Sequence, residues 1–229
     1  MIIEFVGIPG AGKSTLARRY IKEIIKKRNI VVKTNEDIRR NFSVVELISI
    51  LFSPSCWLLT VHTIRLSLQY PHNTRKIRRC YNFVKLFVRL KRYLKSNQII
   101  VLEEGVLQLI TSIAHLESLI QHKALKALCI DFASIIHRTI YVDCQANCKV
   151  AVCRTTLRRS LVNRFCKLPE DVRLSAFMIK RTNIDKVFDE IKKLDVEVHV
   201  IKINTELNFD EVYNDLCSKI ENITKEFLQ

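Results

Sequence analysis

GIPGAGKS, residues 7 to 14, is the stretch of this sequence that decides the fold. Its spacing is Gly7, four residues, Gly12, Lys13 and Ser14, which is the pattern of a phosphate-binding loop. Glycines allow backbone N–H groups to close around an anion, and the start of a following helix adds the positive end of its dipole. Lys13 can reach the outer phosphates of a nucleotide, and the Ser14 hydroxyl can bind Mg²⁺. The stretch therefore predicts a site for ATP and Mg²⁺.

The residues on either side of this stretch support that interpretation. Just before this stretch, Ile2, Ile3, Phe5 and Val6 form a short apolar run with strand character. After the glycines, apolar residues recur at helical spacing over residues 13 to 27, with Arg and Lys between them. A strand, a loop and a helix in this order form the context that the motif requires. The residues expected to contact the nucleotide here are Gly7, Gly10, Ala11, Gly12, Lys13, Ser14 and Thr15.

Strands and helices are predicted to alternate along the rest of the chain. The further strands are at residues 29 to 33, 98 to 102, 138 to 143 and 196 to 203. Later helical segments are at residues 106 to 137 in two pieces, 145 to 162, 171 to 193 and 208 to 225. This alternation predicts an α/β fold with a parallel five-stranded sheet and helices on both faces. No Pro-, Gly- or Ser-rich linker divides the chain, so residues 1 to 229 are predicted to form a single domain.

A helical insertion is predicted between the second and third strands, at residues 42 to 97. The apolar stretch at residues 44 to 61 is long enough to suggest a membrane-spanning helix, but a glutamate and a proline interrupt it. We therefore expect two buried or interfacial helices, at about 43 to 52 and 55 to 70, before an amphipathic basic helix at 75 to 95. The net charge of +15 fits anionic small substrates, nucleic acid or a membrane surface touched through residues 44 to 95.

Acidic residues follow the second and third strands, at the edge where parallel sheets bind ligands. The third strand ends in LEEG, where Glu103 could hold the metal through water or accept a proton from an acceptor hydroxyl. Glu104 is the rival for either role, and a capping carboxylate at the start of a helix is the structural alternative. The second strand leads into TNEDIRR. There Asp37 and Arg40 are expected to contact the second substrate, unless this cluster only starts a helix.

Arginines follow the fourth strand at spacings that suit a helix. Arg154 and Arg158 are four residues apart and would share a helix face. Phosphoryl transfer spreads negative charge over the equatorial oxygens, which guanidinium groups can neutralise. We expect both arginines to act from a lid-like segment at about 154 to 168, although an exposed helix without such a role would look the same. The expected catalytic residues are then Lys13, Glu103, Arg154 and Arg158, with Ser14 and Glu103 at the metal.

Taken together, these segments resemble the P-loop kinase family that includes thymidylate, nucleoside and other small-metabolite kinases. The resemblance covers most of the chain and rests on GIPGAGKS, IIVLEEG, IYVD with its arginine helix, and the closing strand and helix. It implies a core of five parallel strands, Mg-ATP as the phosphate donor and an arginine-bearing lid. It also implies that the insertion at 42 to 97 lies in the acceptor-binding region, and that adenine lies near Asn204 and Thr205.

Two functions are compatible with these features. The first is an ATP-dependent phosphotransferase acting on a small-molecule acceptor, which is a nucleoside, a nucleotide or another metabolite. The alternative is a P-loop ATPase or nucleotide-dependent switch whose basic insertion binds nucleic acid, a membrane surface or a protein. Eight scattered cysteines without a C-x-x-C pair, and no signal peptide at the N-terminus, favour a cytoplasmic location.

Overall fold

The computed structural model of the chain contains one sheet of five parallel strands. The strands are β1 Ile2–Val6, β2 Val32–Lys33, β3 Ile99–Leu102, β4 Thr139–Gln145 and β5 His199–Asn204. Their order across the sheet is β2-β3-β1-β4-β5, and helices pack around the sheet. The α/β class and the parallel five-stranded sheet predicted from the sequence are confirmed. The structure describes residues 1–28, 32–34, 37, 57–61, 75–94, 98–113, 129–157, 168–194 and 197–228.

The helices keep most of the predicted bounds. They are α1 Lys13–Arg28, α2 Arg75–Leu94, α3 Val106–Ile113, α4 Ala133–Ile136, α5 Cys148–Leu157, α6 Glu170–Lys192 and α7 Phe209–Leu228. Helix α5 begins later than the predicted residue 145, because β4 runs on to Gln145 and the Asn147 side chain then accepts a hydrogen bond from the Lys149 N–H at 2.9 Å. The strand β5 likewise begins later than the predicted residue 196.

The predicted insertion is described only in part. Residues 57 to 61 are helical, whereas the predicted helix at 43 to 52 and most of the one at 55 to 70 lie outside the described residues. Within the part of the chain that the structure describes, no helix is both long enough and apolar enough to cross a membrane.

The strand β1 lies at the centre of the sheet, and every one of its residues is buried. Ile3 is paired with Val101 of β3 on one side and with Ile140 of β4 on the other. A continuous buried run of this kind is typical of a parallel strand that is covered on both faces. Because the strands are parallel, their carboxyl ends meet at one edge, where the glycine-rich stretch follows β1 directly.

The basic helix α2 is docked onto this core. Its side chains Leu86, Phe87 and Leu90 are buried, and the ring of Phe87 meets that of Phe132 edge-on at a centroid distance of 5.0 Å. Full burial of such a side chain contributes about 1.5 to 3 kcal/mol. Helix α2 also buries two of its cationic residues, Lys85 and Arg89. The described end of the insertion is therefore part of the folded domain.

Candidate nucleotide-binding site

The glycine-rich stretch forms a tight loop between β1 and α1. The Ala11 N–H donates to the Ile8 carbonyl at 3.2 Å, and the N–H groups of Thr15 and Leu16 both donate to the Gly12 carbonyl at 3.1 Å. Gly10 has a φ of 82°, and a Cβ atom at this position would lie 2.3 Å from the backbone oxygen of Ala151 in α5. Only glycine fits there, because both the backbone conformation and the contact with α5 exclude a side chain.

Lys13 lies against this loop. Its Nζ donates hydrogen bonds to the carbonyl oxygens of Gly7 at 2.8 Å and of Ile8 at 3.0 Å. The ammonium group is therefore held beside the backbone that would surround a phosphate. Ser14 follows it in the first turn of α1, half-buried, and Thr15 is exposed. No acidic residue lies in that first turn, so the positive end of the helix is not neutralised there.

A cavity of about 380 Å³ opens onto the loop. One wall is formed by loop and α1 residues, and the other comes from the end of α5 and from the segment that joins β5 to α7. The residues that line the cavity are Gly10, Gly12, Thr15, Leu16, Arg154, Leu157, Thr205, Leu207, Phe209 and Val212. The far wall is mainly apolar, and apolar walls with a few fixed polar groups are typical of sites for small ligands.

Thr205 is held in the wall of this cavity by four hydrogen bonds, the longest of which runs from the Arg154 guanidinium to the Thr205 Oγ1 at 3.5 Å. Its N–H and its Oγ1 both donate to the Gln145 carbonyl at 2.9 Å, and its own carbonyl accepts from the Arg154 guanidinium at 2.9 Å. The structure thus places Thr205 and Arg154 together beside the loop. Asn204 does not line the cavity, and its side chain instead accepts a hydrogen bond from the Glu206 N–H at 3.0 Å.

Arg19 was not identified from the sequence, although it supports the same cavity. Its guanidinium lies 4.3 Å from the ring centroid of Tyr213 and 5.2 Å from that of Phe209, and it forms an ion pair with Asp210 at 2.6 Å. These contacts fix the start of α7 against α1. Its ion pair with Glu23 at 3.1 Å is local to α1, whereas Phe209, Asp210 and Tyr213 lie at the far end of the chain, so the sequence does not reveal these three contacts.

Glu103 follows β3 at the same edge of the sheet, next to the strand that ends at the loop. Its side chain is 29% exposed, and its Oε1 lies 3.7 Å from Nε of the well-exposed Arg18. Such a surface pair contributes little to stability. Glu104 is exposed. Of the two acids, Glu103 is therefore the more enclosed, and it lies beside the helix that carries Lys13 and Ser14.

The remaining predicted site residues are Asp37, Arg40 and Arg158. The Asp37 carboxylate accepts hydrogen bonds from the Thr34 N–H at 2.9 Å and from the Thr34 hydroxyl at 3.4 Å, the local pattern of a chain turn. Its backbone carbonyl accepts a hydrogen bond from the buried Arg89 of α2 at 2.9 Å. Arg40 and Arg158 lie outside the described residues, as does most of the predicted lid-like segment.

A buried acid near the site was also missed from the sequence. Glu4 of β1 is fully buried, and its carboxylate accepts hydrogen bonds from the N–H groups of Leu107 at 3.3 Å and Gln108 at 3.0 Å. A Cβ atom on Gly105 would lie 2.5 Å from this carboxylate, which explains the one glycine outside the loop. Burial raises the pKa of Glu4 to about 7, and the backbone hydrogen bonds oppose that rise. The sequence signal that could have identified Glu4 is an acidic residue inside an otherwise apolar strand.

The raised pKa of Glu4 predicts a pH-dependent stability. The folded state holds this proton more tightly than the unfolded state, so the stabilisation is complete below pH 4.5 and is lost as the pH rises through about 7. The difference is on the order of 3 kcal/mol, at about 1.4 kcal/mol per pKa unit. Denaturant unfolding between pH 4.5 and 8 should show this decline in the free energy of unfolding, and Glu4→Gln should remove it. Asp189→Asn, which alters an exposed acid on α6, should keep it, and equal slopes in wild type and Glu4→Gln would contradict the assignment.

A larger cavity, of about 700 Å³, lies along β5 between α6 and α7. It shares no lining residue with the cavity at the loop. Its buried acid, Asp143, already accepts two hydrogen bonds from the Arg181 guanidinium, at 2.6 and 2.8 Å. Of these two cavities, the smaller one is the candidate for a nucleotide, because it adjoins the glycine-rich loop and the start of α1.

The comparisons with known proteins agree with this arrangement. Neither a protein-family model nor a curated protein matches the chain significantly. Among solved structures, the deoxyadenosine kinase from M. mycoides with the products dCMP and a flexible dCDP bound is similar, with a TM-score of 0.51 and 15% identity over 97% of this chain and 100% of that one. The same enzyme with bound dATP gives 0.48 and 15%, over 96% and 100%. The chain therefore has the fold of the P-loop kinases, which confirms the resemblance predicted from its sequence.

Proposed function

We propose that this protein transfers the γ-phosphoryl group of Mg-ATP to a small-molecule acceptor. The main support for the proposal is the cavity at the glycine loop, because it joins the loop and the start of α1 to an apolar wall that suits a nucleotide base. Lys13 adds positive charge at the loop, and Arg154 adds it in the lining of the cavity. This is the distribution that an ATP molecule with its phosphates on the loop would need.

The residues present fit Mg-ATP. The ion, when bound, would supply positive charge that offsets the negative charge of the outer phosphates. Ser14 would give the metal one hydroxyl oxygen, and Glu103 would orient water around it or accept the proton of the acceptor hydroxyl. Among the described residues, no group of three His, Cys, Asp or Glu residues could hold a metal by itself. Mg²⁺ in phosphoryl-transfer sites is typically held by one or two protein groups together with phosphates and waters.

A nucleoside is the first acceptor class to test. The similar solved structures are of a deoxyadenosine kinase with dATP, with dCTP, or with dCMP and dCDP bound. Similarity of fold at this level of sequence identity does not identify the acceptor. It does justify placing nucleosides and deoxynucleosides ahead of nucleotides, sugars and lipid intermediates among the candidates.

The packing of α2 favours a kinase over a nucleotide-dependent switch that binds a large partner through its basic helix. A binding surface would point its cations outward, whereas Lys85 and Arg89 are buried and Arg89 bonds to the backbone beside β2. Charges buried close to the carboxyl ends of the strands suit the enclosure of an anionic or polar acceptor. Lys91 and Arg92, in the last turn of the same helix, are exposed.

The experiment is a phosphate-transfer screen with γ-labelled ATP and Mg²⁺ against pooled nucleosides, nucleotides, sugars and lipid intermediates. We expect label in one acceptor pool and none without Mg²⁺. Lys13→Ala serves as the matched inactive control. Release of inorganic phosphate at the same rate in every pool, with no labelled acceptor, would favour the ATPase or switch instead.

Arg154 should contribute to both binding and turnover. It lines the cavity and bonds to the Thr205 carbonyl, so Arg154→Ala should weaken ATP binding modestly, by roughly tenfold for one lost charged hydrogen bond. Turnover should fall further, because a guanidinium beside the phosphates stabilises charge that develops in the transition state. Steady-state measurement of kcat and KM separates the two effects, with Arg154→Lys as the charge-preserving comparison. An equal loss in binding and in kcat/KM would make Arg154 a ground-state contact only.

A further inference from the structure

We propose that the buried Glu4 is a positioning residue for Glu103, because Glu4 fixes both ends of the short segment that carries Glu103. This inference rests on the proposed function, in which Glu103 acts at the metal or the acceptor hydroxyl. Glu4 itself lies within the core and is not among the residues that line the loop cavity. Its influence on the site must therefore pass through the backbone between β3 and α3.

Two contacts of Glu4 define the ends of this segment. At one end, Glu4 is the register partner of Leu102, the last residue of β3. At the other end, its carboxylate accepts the hydrogen bonds from Leu107 and Gln108 in the first turn of α3. Glu103 lies between these two ends. One residue thus links the strand, through its backbone, to the helix start, through its side chain, and the carboxylate also meets the positive end of α3.

Gly105 provides independent support for the same arrangement. A side chain at this position would collide with the Glu4 carboxylate at 2.5 Å, so the turn closes directly onto the acid. The Leu109 N–H donates to the Gly105 carbonyl at 3.0 Å, which makes Gly105 the point at which the helical hydrogen bonding begins. A shift of the Glu4 carboxyl group would therefore move the start of α3, and with it the two residues before Gly105.

The protonation state of Glu4 should change how firmly Glu4 holds the segment between β3 and α3 near neutral pH. Tyr141 of β4 is its register partner and lies beside it, and Cys129 interacts in turn with Tyr141. Burial raises the pKa of Tyr141 well above its usual value and that of Cys129 to about 12, so both remain neutral at pH 7. Glu4 is then the member of this group that gains or loses a proton around pH 7.

The test is a double-mutant cycle on single-turnover transfer, with Glu4→Gln, Glu103→Gln and the combined variant. Glu4→Gln should slow transfer about tenfold in the wild-type background, with the affinity for ATP unchanged, and less than about twofold when Glu103 is already replaced. Asp189→Asn is the matched control and should leave the rate unchanged. An equal loss in both backgrounds would overturn the proposal, because Glu4 would then act on stability alone.

A second measurement needs no turnover and so separates this proposal from the proposed function. The ¹³C signal of the Glu103 carboxyl group in the full chain should show an inflection near pH 7 that reports Glu4, and Glu4→Gln should abolish it. If Glu4→Gln does not fold, the wild-type titration decides alone. A Glu103 signal that follows a single titration with no inflection near pH 7 would overturn the positioning role. Absence of phosphate transfer in the wild type, with the inflection present, would overturn the kinase proposal and leave the link between Glu4 and Glu103 intact.

Discussion

Replacing Lys13 with alanine should abolish tight ATP binding and leave the fold intact. The ammonium group bonds to the carbonyl oxygens of Gly7 and Ile8, which it would exchange for phosphate oxygens, and none of these contacts reaches the core. Charged hydrogen bonds contribute about 1.5 to 3 kcal/mol each, so losing two of them should weaken binding by roughly a hundredfold or more. Calorimetric titration with Mg-ATP measures the affinity, and circular dichroism checks the fold.

Lys22→Ala is the matched control for this experiment. Lys22 is an exposed lysine of the same helix, so its replacement removes the same charge without touching the loop. Lys22→Ala should bind ATP within about twofold of wild type, since exposed charges contribute little. Unchanged ATP affinity in a folded Lys13→Ala protein would show that the loop does not hold the phosphates.

The second large effect is expected at Glu103. Glu103→Gln should retain the fold and ATP binding but slow phosphoryl transfer by roughly 10² or more, the lower end of general-base effects. The reason is that Gln keeps the shape of the side chain and loses the negative charge that orients metal-bound water or accepts a proton. Its exposed pair with Arg18 is too weak for the fold to depend on it.

Glu104→Gln is the comparison for this prediction. Glu104 is the more exposed of the two acids, so its replacement should be the milder one. Both variants are compared by single-turnover transfer to the acceptor that the screen identifies. If Glu104→Gln is inactive and Glu103→Gln is near normal, the assigned acid is wrong by one residue.

The fold could be predicted from the sequence because its signals are local. Buried parallel strands are visible as short apolar runs, and the spacing from Gly7 to Ser14 specifies a loop wherever a strand precedes it and a helix follows. Thr205 was also predicted, through the family resemblance, and the structure places it in the cavity wall. The neighbouring Asn204 side chain instead accepts a hydrogen bond from the Glu206 backbone, and the spacing of residues in the sequence does not reveal this local contact.

The parts that the sequence did not predict depend on contacts between distant segments. Glu4 looks like an unfavourable acid within a strand until α3 supplies its hydrogen-bond donors. Arg19 resembles the other exposed cations of α1 until the rings of α7 lie over it. Arg89 belongs to a run of basic residues, and only the packing of α2 shows that it is buried beside Asp37. In each case the residue type was visible, whereas its partner was not.

The central place of β1 has a consequence for how the protein folds. This strand precedes the others in the chain, yet both of its neighbours, β3 and β4, come much later. The loop that follows it also rests on later segments, since Gly10 packs on Ala151 and Gly12 faces Thr205. Long-range pairings of this kind form slowly, because the intervening chain must be ordered first. The loop and its cavity are therefore expected to form late in folding, so a nucleotide bound there would stabilise the finished protein rather than the intermediates that precede it.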